Sequence, residues 1–400
     1  MTGQNVLFIS GSLGLGHVIR DLAIARELRR HTPEIEILWL ASHPADEFLK
    51  AHGEKMVVGA ERYANDNIPA EEVAHDGQLN LLSYLTQAKK EWRHNVDVYA
   101  EITSRERFDL VIGDETYEIS IAISKKPELK KAPFVMIYDF IGLDAMSVNP
   151  IEKVGIYIWN LIWWNTGRKS GVLDLGLFVG EIEDVPDRPF GLFLPSRRAW
   201  AGQRLEFLGQ IVHFDPADLL DRSAVRNKLG YGSEPLIVCA VGGSAAGKPL
   251  LELFGKAYPI LKQQLPNLRM LLVCGPRISP DSVKAPEGVE KAGFIPDLYN
   301  YFAACDLALI MGGGSATLEL TVLRRPFIYF PLQGHFEQEL NVASRVERNR
   351  AGVRMNFGET TPDGLAQMVM TQLGREVQYL PVRIDGEVRA ASLIAPLLRR

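Results

Sequence analysis

Twice along this chain a short apolar, β-branched run ends in a cluster of glycines and hands over to an amphipathic helix. The first instance is Val6 to Ser10, followed by Gly11, Gly14 and Gly16 and then by Val18, Leu22 and Ala25 on one helical face. The second is Leu236 to Val241, followed by Gly242, Gly243, Ser244, Ala245, Ala246 and Gly247 and a helix to about Leu265. Strand, glycine loop and helix in that order form the opening unit of a doubly wound sheet. Each restart therefore predicts its own sheet. In the first half, further strands are expected at Ile35 to Leu40, Asp109 to Gly113 and Phe134 to Tyr138. In the second they are expected at Met270 to Cys274, Leu307 to Met311 and Phe327 to Phe330, with a helix from Ser315 to Leu323. Strands alternating with helices imply parallel sheets covered on both faces, an α/β class. The 400 residues accommodate two or three domains. The two restarts favour two, residues 1–214 and 215–400, meeting near His213 to Asp218, with a last helix that can pack back on the first domain.

Forty-four Lys and Arg against 49 Asp and Glu leave a net charge of -5, which argues against a nucleic-acid partner. The three cysteines, Cys239, Cys274 and Cys305, sit in apolar runs without disulfide or metal-ligand spacing, so inert buried thiols are expected. The opening MTGQNVLFIS lacks the features of a signal peptide, and the aromatic run Gly155 to Trp164 is about half the length of a bilayer span. A cytoplasmic protein is expected, with peripheral contact at the inner face of a membrane through the aromatic segment 155–164 as the sharper alternative. The plainer reading makes this segment a helix packed on the sheet, because no Lys or Arg stripe accompanies the aromatics.

The first glycine loop is not a nicotinamide site. Its spacing is G-x-x-G-x-G, and Ala41, Ser42 and His43 stand where an acidic residue should end the second strand. The loop instead delivers His17 to the start of a helix, where a neutral imidazole can take a proton near pH 7. Asp114 closes the strand Leu110 to Gly113 at the same sheet edge, where its carboxylate can orient that imidazole or merely cap the next helix. In the second half, Gly312, Gly313, Gly314 and Ser315 leave a strand and open a helix, so bare amides and the positive end of the helix dipole make an anion site. Glu319 lies one turn below Ser315, at a depth suited to the two hydroxyls of a ribose. The loop after Pro331 adds His335, Glu337 and Gln338, an acid and an amide fit for sugar hydroxyls.

With these residues in place, the chain resembles the two-domain B-fold glycosyltransferases: plant secondary-product and antibiotic glycosyltransferases and the peptidoglycan N-acetylglucosaminyltransferase. The resemblance covers nearly the whole length and is strongest from Phe294 to Asn341. It implies two Rossmann-like domains facing a cleft, with His17 as general base and Asp114 as its partner. Gly14 and Gly16 would shape the first loop. Phe294 and Ile295 would meet the nucleotide base, Gly313 to Ser315 the diphosphate, Glu319 the ribose, and Glu337 with Gln338 the sugar. Met311 and Ala316 replace a histidine and a serine of the plant members, which shifts diphosphate contacts toward Ser315, Gly243, Ser244 or His335. Glu337 replaces the aspartate usual there.

The implied reaction is inverting transfer of a hexosyl group from a nucleoside diphosphate sugar, most simply a UDP-sugar, to a hydroxyl of a small apolar or lipid-linked acceptor. The nucleotide sugar is a co-substrate; no cofactor is expected, and no Asp-x-Asp pair suggests a metal. An epimerase of the same fold and a non-catalytic nucleotide-sugar-binding partner protein are the alternatives. One acceptor wall is expected in Ala64 to Glu101, with Leu81, Leu82, Tyr84 and Trp92, joined by Trp159, Trp163 and Trp164.

Overall fold

The computed structural model describes residues 4–10, 15–64, 74–75, 78–79, 81–243 and 245–399. Gly14 and Ser244 lie outside them, as does most of 65–80, and with it much of the expected acceptor wall. The chain divides into two units. One is built mainly from residues up to His213 together with 383–400, and the other from the short segment holding Ala74–His75 and Gln78–Leu79 together with 214–382.

The first unit holds β1 (Asn5–Ile9), β2 (Glu36–Leu40) and β3 (Lys55–Met56), then β6 (Leu110–Asp114), β7 (Phe134–Tyr138), β8 (Leu175–Phe178) and β9 (Glu206–Phe207); the antiparallel pair β4 (Ala74–His75) and β5 (Gln78–Leu79), which falls between β3 and β6 in the chain, groups with the second unit. The main sheet of the first unit runs β3-β2-β1-β6-β7-β8-β9 and is parallel throughout. Helices α1 (Leu15–His31), α2 (Ala45–Ala51), α3 (Leu81–Arg105), α4 (Tyr117–Lys125), α5 (Pro150–Arg168) and α6 (Arg197–Gly202) accompany it.

Both faces of this sheet are covered, which explains strands that are apolar at nearly every position. Phe8, Trp39 and Ile112 pack on one face with Val18, Leu22 and Ala25 of α1 and with Ile394 and Leu398 of the C-terminal helix Gly386–Leu398. Leu7, Ile9 and Val111 pack on the other with Tyr99, Ile102 and Ile119.

The second unit holds β10 (Leu236–Ala240), β11 (Arg269–Val273), β12 (Glu290–Ala292), β13 (Leu307–Met311), β14 (Phe327–Phe330) and β15 (Val353–Arg354), all parallel in the order β12-β11-β10-β13-β14-β15. Its helices are α7 (Arg222–Lys228), α8 (Lys248–Gln264), α9 (Tyr299–Ala304), α10 (Gly314–Val322), α11 (Ala343–Arg348) and α12 (Pro362–Gln372). The three cysteines are buried and unpaired, and burial raises the pKa of each thiol, that of Cys305 to about 12. Glycine is required at Gly275, where φ is +76° and a Cβ would run into the carbonyl of Gly242.

Each sheet reverses its winding once, between β1 and β6 and between β10 and β13. At such a point the connections leave in opposite directions and open a crevice at the carboxyl ends of the strands. His17 and Asp114 follow the first pair of strands, and the glycines 242–243 and 312–314 follow the second. Among the described residues, no helix is long and apolar enough to cross a membrane.

Candidate functional site

His17 lies in the first turn of α1 and Asp114 is the last residue of β6. Asp114 is fully buried, and its Oδ2 stands 2.8 Å from Nδ1 of His17. A proton on Nδ1 donated to this carboxylate leaves Nε2 as the basic nitrogen. Arg20, one turn along α1, donates to Oδ1 of Asp114 at 2.5 Å and to Oδ2 of Asp139 at 2.9 Å. Asp139 follows β7, so the carboxyl edges of two adjacent strands are bound to one guanidinium.

Nε2 of His17 is 3.9 Å from Oε2 of Glu115 and 3.8 Å from Oδ2 of Asp139. Glu115 occupies the left-handed region at φ +53°, and its Oε1 accepts a hydrogen bond from the Tyr117 hydroxyl at 2.9 Å. Such a conformation costs a non-glycine residue about 1 kcal/mol or more and tends to mark functional sites. Four residues after His17, the fully buried Asp21 accepts from Oγ of Ser10 at 2.6 Å.

Burial and the Arg20 cation pull the imidazole pKa of His17 down, but the Asp114 and Asp139 carboxylates outweigh them and leave it above the ordinary value. Asp114 is held below the usual carboxylate range: burial works against ionisation, and Arg20 and His17 more than reverse it. Asp139 is lowered in the same way, chiefly by Arg20. His17, Glu115 and Asp139 could geometrically converge on a metal ion. Arg20 already supplies a cation to Asp139.

An aromatic wall stands beside these groups. Tyr117 packs on Trp163 with ring centres 4.4 Å apart and on Phe140 at 5.7 Å, while Trp159 meets Trp92 edge-on at 5.1 Å. The aromatics of 155–164 are thus partly covered by packing. The exposed apolar residues of this region are aliphatic instead: Val148, Ile151, Val154 and Ile158, with Leu192 and Phe193 on a loop held to α5 through Tyr157.

In the second unit, Gly313 precedes the first turn of α10 without a side-chain cap, leaving the helix amides bare. Gly312 must be small because a Cβ would press on the Pro331 backbone at 3.0 Å, and nothing lies within 4 Å of a Cβ placed on Gly313 or Gly243. Ser315 is exposed on the first turn of α10. A Cβ on Gly314 would stand 3.9 Å from Oε1 of Glu337 and 3.4 Å from Nη2 of Arg345, which itself donates to the Gly314 carbonyl at 3.2 Å. Glu337 is therefore brought to the helix start. It opens a π-helical turn, Glu337–Val342, a form that often marks functional positions.

Gln338 is buried, and its Oε1 accepts from the Leu332 amide at 2.9 Å. His335 accepts from the Gln338 amide through Nδ1 at 3.4 Å. Burial, followed by the nearby Asp297 charge, pushes the Glu319 carboxyl up to about 8. Ile295 packs into the core while Phe294 is 45% exposed just beyond β12. Met311 and Ala316, where the plant enzymes have polar residues, pack against the core.

Sequence reasoning passed over Arg20, Asp21, Glu115, Asp139 and Arg345. Arg20 is three residues from His17 on a helix, a spacing that places both on one face. Asp139 closes its strand as Asp114 does, so the same argument carried one strand further would have found it. Glu115 and Arg345 carry no comparable signal, because a left-handed turn and a later helix bring them in.

Residues 237–378 match the model of the glycosyltransferase family 28 C-terminal domain. An uncharacterized glycosyltransferase of Methanosarcina acetivorans is 27% identical over 99% of this chain and 97% of its own length. The UDP-N-acetylglucosamine--N-acetylmuramyl-(pentapeptide) pyrophosphoryl-undecaprenol N-acetylglucosamine transferase of Carboxydothermus hydrogenoformans is 26% identical over 38% of this chain and 42% of its own. Among solved structures, the glycotransferase of kitacinnamycin superposes with a TM-score of 0.62 at 14% identity, covering 100% of this chain and 96% of that one.

Proposed function

We propose that this chain, a glycosyltransferase of the two-domain B fold, moves a hexosyl group from a UDP-sugar to a hydroxyl of an apolar or lipid-linked acceptor, with inversion and without a metal. The observation that carries this reading is the buried His17–Asp114 dyad at the switch point of the first sheet; the second sheet separately supplies a bare glycine helix start followed by Glu319. His17 Nε2 takes the acceptor proton as the oxygen attacks the anomeric carbon. The amides of α10 stabilise the leaving diphosphate, and Asp114 supports the imidazolium. Direct displacement at one carbon inverts it.

The wall of Tyr117, Phe140 and Trp163 supports an acceptor with an apolar body. The name of the Carboxydothermus relative, which includes N-acetylmuramyl-(pentapeptide) pyrophosphoryl-undecaprenol, supports a lipid-linked one. Thermal shift with uridine, thymidine and guanosine diphosphate sugars tests the donor, and the uridine series is expected to give the largest stabilisation. Release of nucleoside diphosphate only when acceptor is present, with the product anomer read by NMR, tests the reaction. Interconversion of the donor without acceptor would replace it by epimerisation.

Glu319→Ala is expected to weaken binding of free nucleoside diphosphate by about tenfold or more, since two hydrogen bonds to a charged group are lost. The ionised carboxylate is the better acceptor for ribose hydroxyls. Affinity should therefore strengthen as pH rises from 7 through about 8 to 9 and stay flat in Glu319→Gln. Calorimetry across that range checks both, and an unchanged dissociation constant in the alanine variant would refute the ribose role.

The outward aliphatic face supports peripheral contact with a lipid surface, made by Ile151, Val154 and Ile158 in place of the aromatics. The double change Ile151→Ser and Ile158→Ser is expected to lower co-sedimentation with vesicles several-fold while leaving the melting temperature within about a degree. Equal sedimentation of the two proteins would remove this contact from the reading.

A further inference from the structure

We propose that Asp21 and Glu115 are held as neutral carboxylic acids, each donating its proton to a neighbouring carboxylate, so that the cluster around His17 reaches charge balance only when His17 itself is protonated. Four carboxyl groups and one guanidinium meet where α1 passes the ends of β6 and β7, and the donors that reach each oxygen indicate where the protons reside.

Asp114 already accepts at both oxygens, from Arg20 at Oδ1 and from His17 at Oδ2. Asp21 lies against it in hydrogen-bonding contact. Asp21 accepts from Ser10 through Oδ2, and its buried Oδ1 meets no donor. Asp114 retains a lone pair on each oxygen, and a second carboxyl can hydrogen-bond to an ionised carboxylate only as a donor, which places the proton on Asp21 Oδ1.

The same arrangement recurs on the next strand. Asp139 accepts from Arg20 at Oδ2, its Oδ1 is buried without a donor, and Glu115 is in hydrogen-bonding contact with it. In each pair the member touching Arg20 is the charged one and the other is the acid. Burial first, and then the adjacent carboxylates, push both acids well above the usual carboxyl range, in keeping with this assignment.

Two charged carboxylates against one guanidinium leave the cluster at minus one while His17 is neutral. Protonation of His17 brings it to zero. If His17 is the general base, as proposed above, the site is charged in advance for the imidazolium that the reaction creates. Asp21 and Glu115 are then positioning residues: they act through Asp114 and Asp139. The groups facing them are Ser10, His17, Arg20, Asp114, Tyr117 and Asp139.

The test is an NMR titration of the His17 ring, assigned by the signal lost in His17→Gln and read without donor or acceptor. Asp21→Asn and Glu115→Gln keep a donor in place and remove the titrating proton. The His17 midpoint is expected to stay where it is in the wild type in both. An ionised Asp21 or Glu115 would instead lower that midpoint by about one pH unit on substitution, and such a drop overturns the proposal. Asp21→Ala removes the donor from Asp114 and is expected to raise the midpoint by about one unit. No change in Asp21→Ala also overturns it. In infrared spectra at pH 7, each amide variant should lose one band of an unionised carboxylic acid, and retention of both bands counts against the assignment. Because none of these readouts requires sugar transfer, failure here is separable from failure of His17 as base.

Discussion

Replacing His17 with alanine is expected to cut turnover by roughly two to four orders of magnitude while binding of the free nucleoside diphosphate stays nearly unchanged. The separation of the two effects follows from where the residues sit. His17 belongs to the first unit and touches Asp114, whereas the diphosphate and ribose candidates all belong to the second. In the wild type the acid limb of kcat/KM should fall above the ordinary imidazole value, because the carboxylates raise His17 and only its neutral form can accept a proton. The rate is therefore lost as pH falls through that raised value, and the limb should disappear in the alanine variant. Measurement of kcat, KM and nucleotide affinity on both proteins decides the matter. Full turnover in His17→Ala would end its role as base.

Arg20→Met is expected to be the most damaging single change to the first unit. The methionine fills much of the same volume but leaves Asp114 and Asp139 buried without the cation that holds both. Removing one partner from a buried ion pair costs about 3–5 kcal/mol. For a unit of this size each kcal/mol moves the melting temperature by about 2–4 °C, so a drop of about 10 °C is expected by calorimetry. Turnover should fall with it, since Asp114 no longer lies fixed under His17. Adding Asp139→Asn removes one of the stranded charges and should recover part of the lost stability, a coupling that a double-mutant cycle measures directly. Equal melting temperatures for Arg20→Met and the wild type would show that the guanidinium is not what neutralises the cluster.

The sheets were legible because their signal is local. Val6 to Ser10 and Leu307 to Met311 are apolar at successive positions, and a strand covered on both faces permits little else. Phe134–Tyr138, Leu307–Met311 and Phe327–Phe330 occur at the expected bounds, and other strands shift by one residue, as Leu110–Asp114 does. Met311 and Ala316 stood out in the sequence only as missing polar groups; packing into the core accounts for both.

The candidate site was readable only in part, because its groups converge through the winding of the sheet. His17 and Asp114 could be paired by noting that both stand at strand ends. Asp139 obeys the same rule and Arg20 shares the helix face of His17, but both are common surface residue types, which draw no attention until a buried carboxylate demands a cation. Asp21 is the clearest case. On an amphipathic helix it reads as a solvated position between Val18 and Leu22, yet it has no exposure at all. The aromatic segment follows the plainer expectation of a packed helix: Trp163 and Trp159 pack against Tyr117 and Trp92, while aliphatic residues that drew no attention in the sequence face outward.

The C-terminal helix Gly386–Leu398 packs on α1, and the Gln4 side chain donates to the Leu398 carbonyl. During synthesis the helix that carries His17 emerges early, but its covering partner follows only after all of the second unit has been made. Until then Val18, Leu22 and Ala25 lack part of the apolar surface they are built to meet. Folding on the ribosome therefore cannot proceed strictly from front to back here. The second unit can mature while the first still waits for its last helix, so a chain truncated before Gly386 should keep the fold of the second unit and leave the helix that carries His17 without its covering partner.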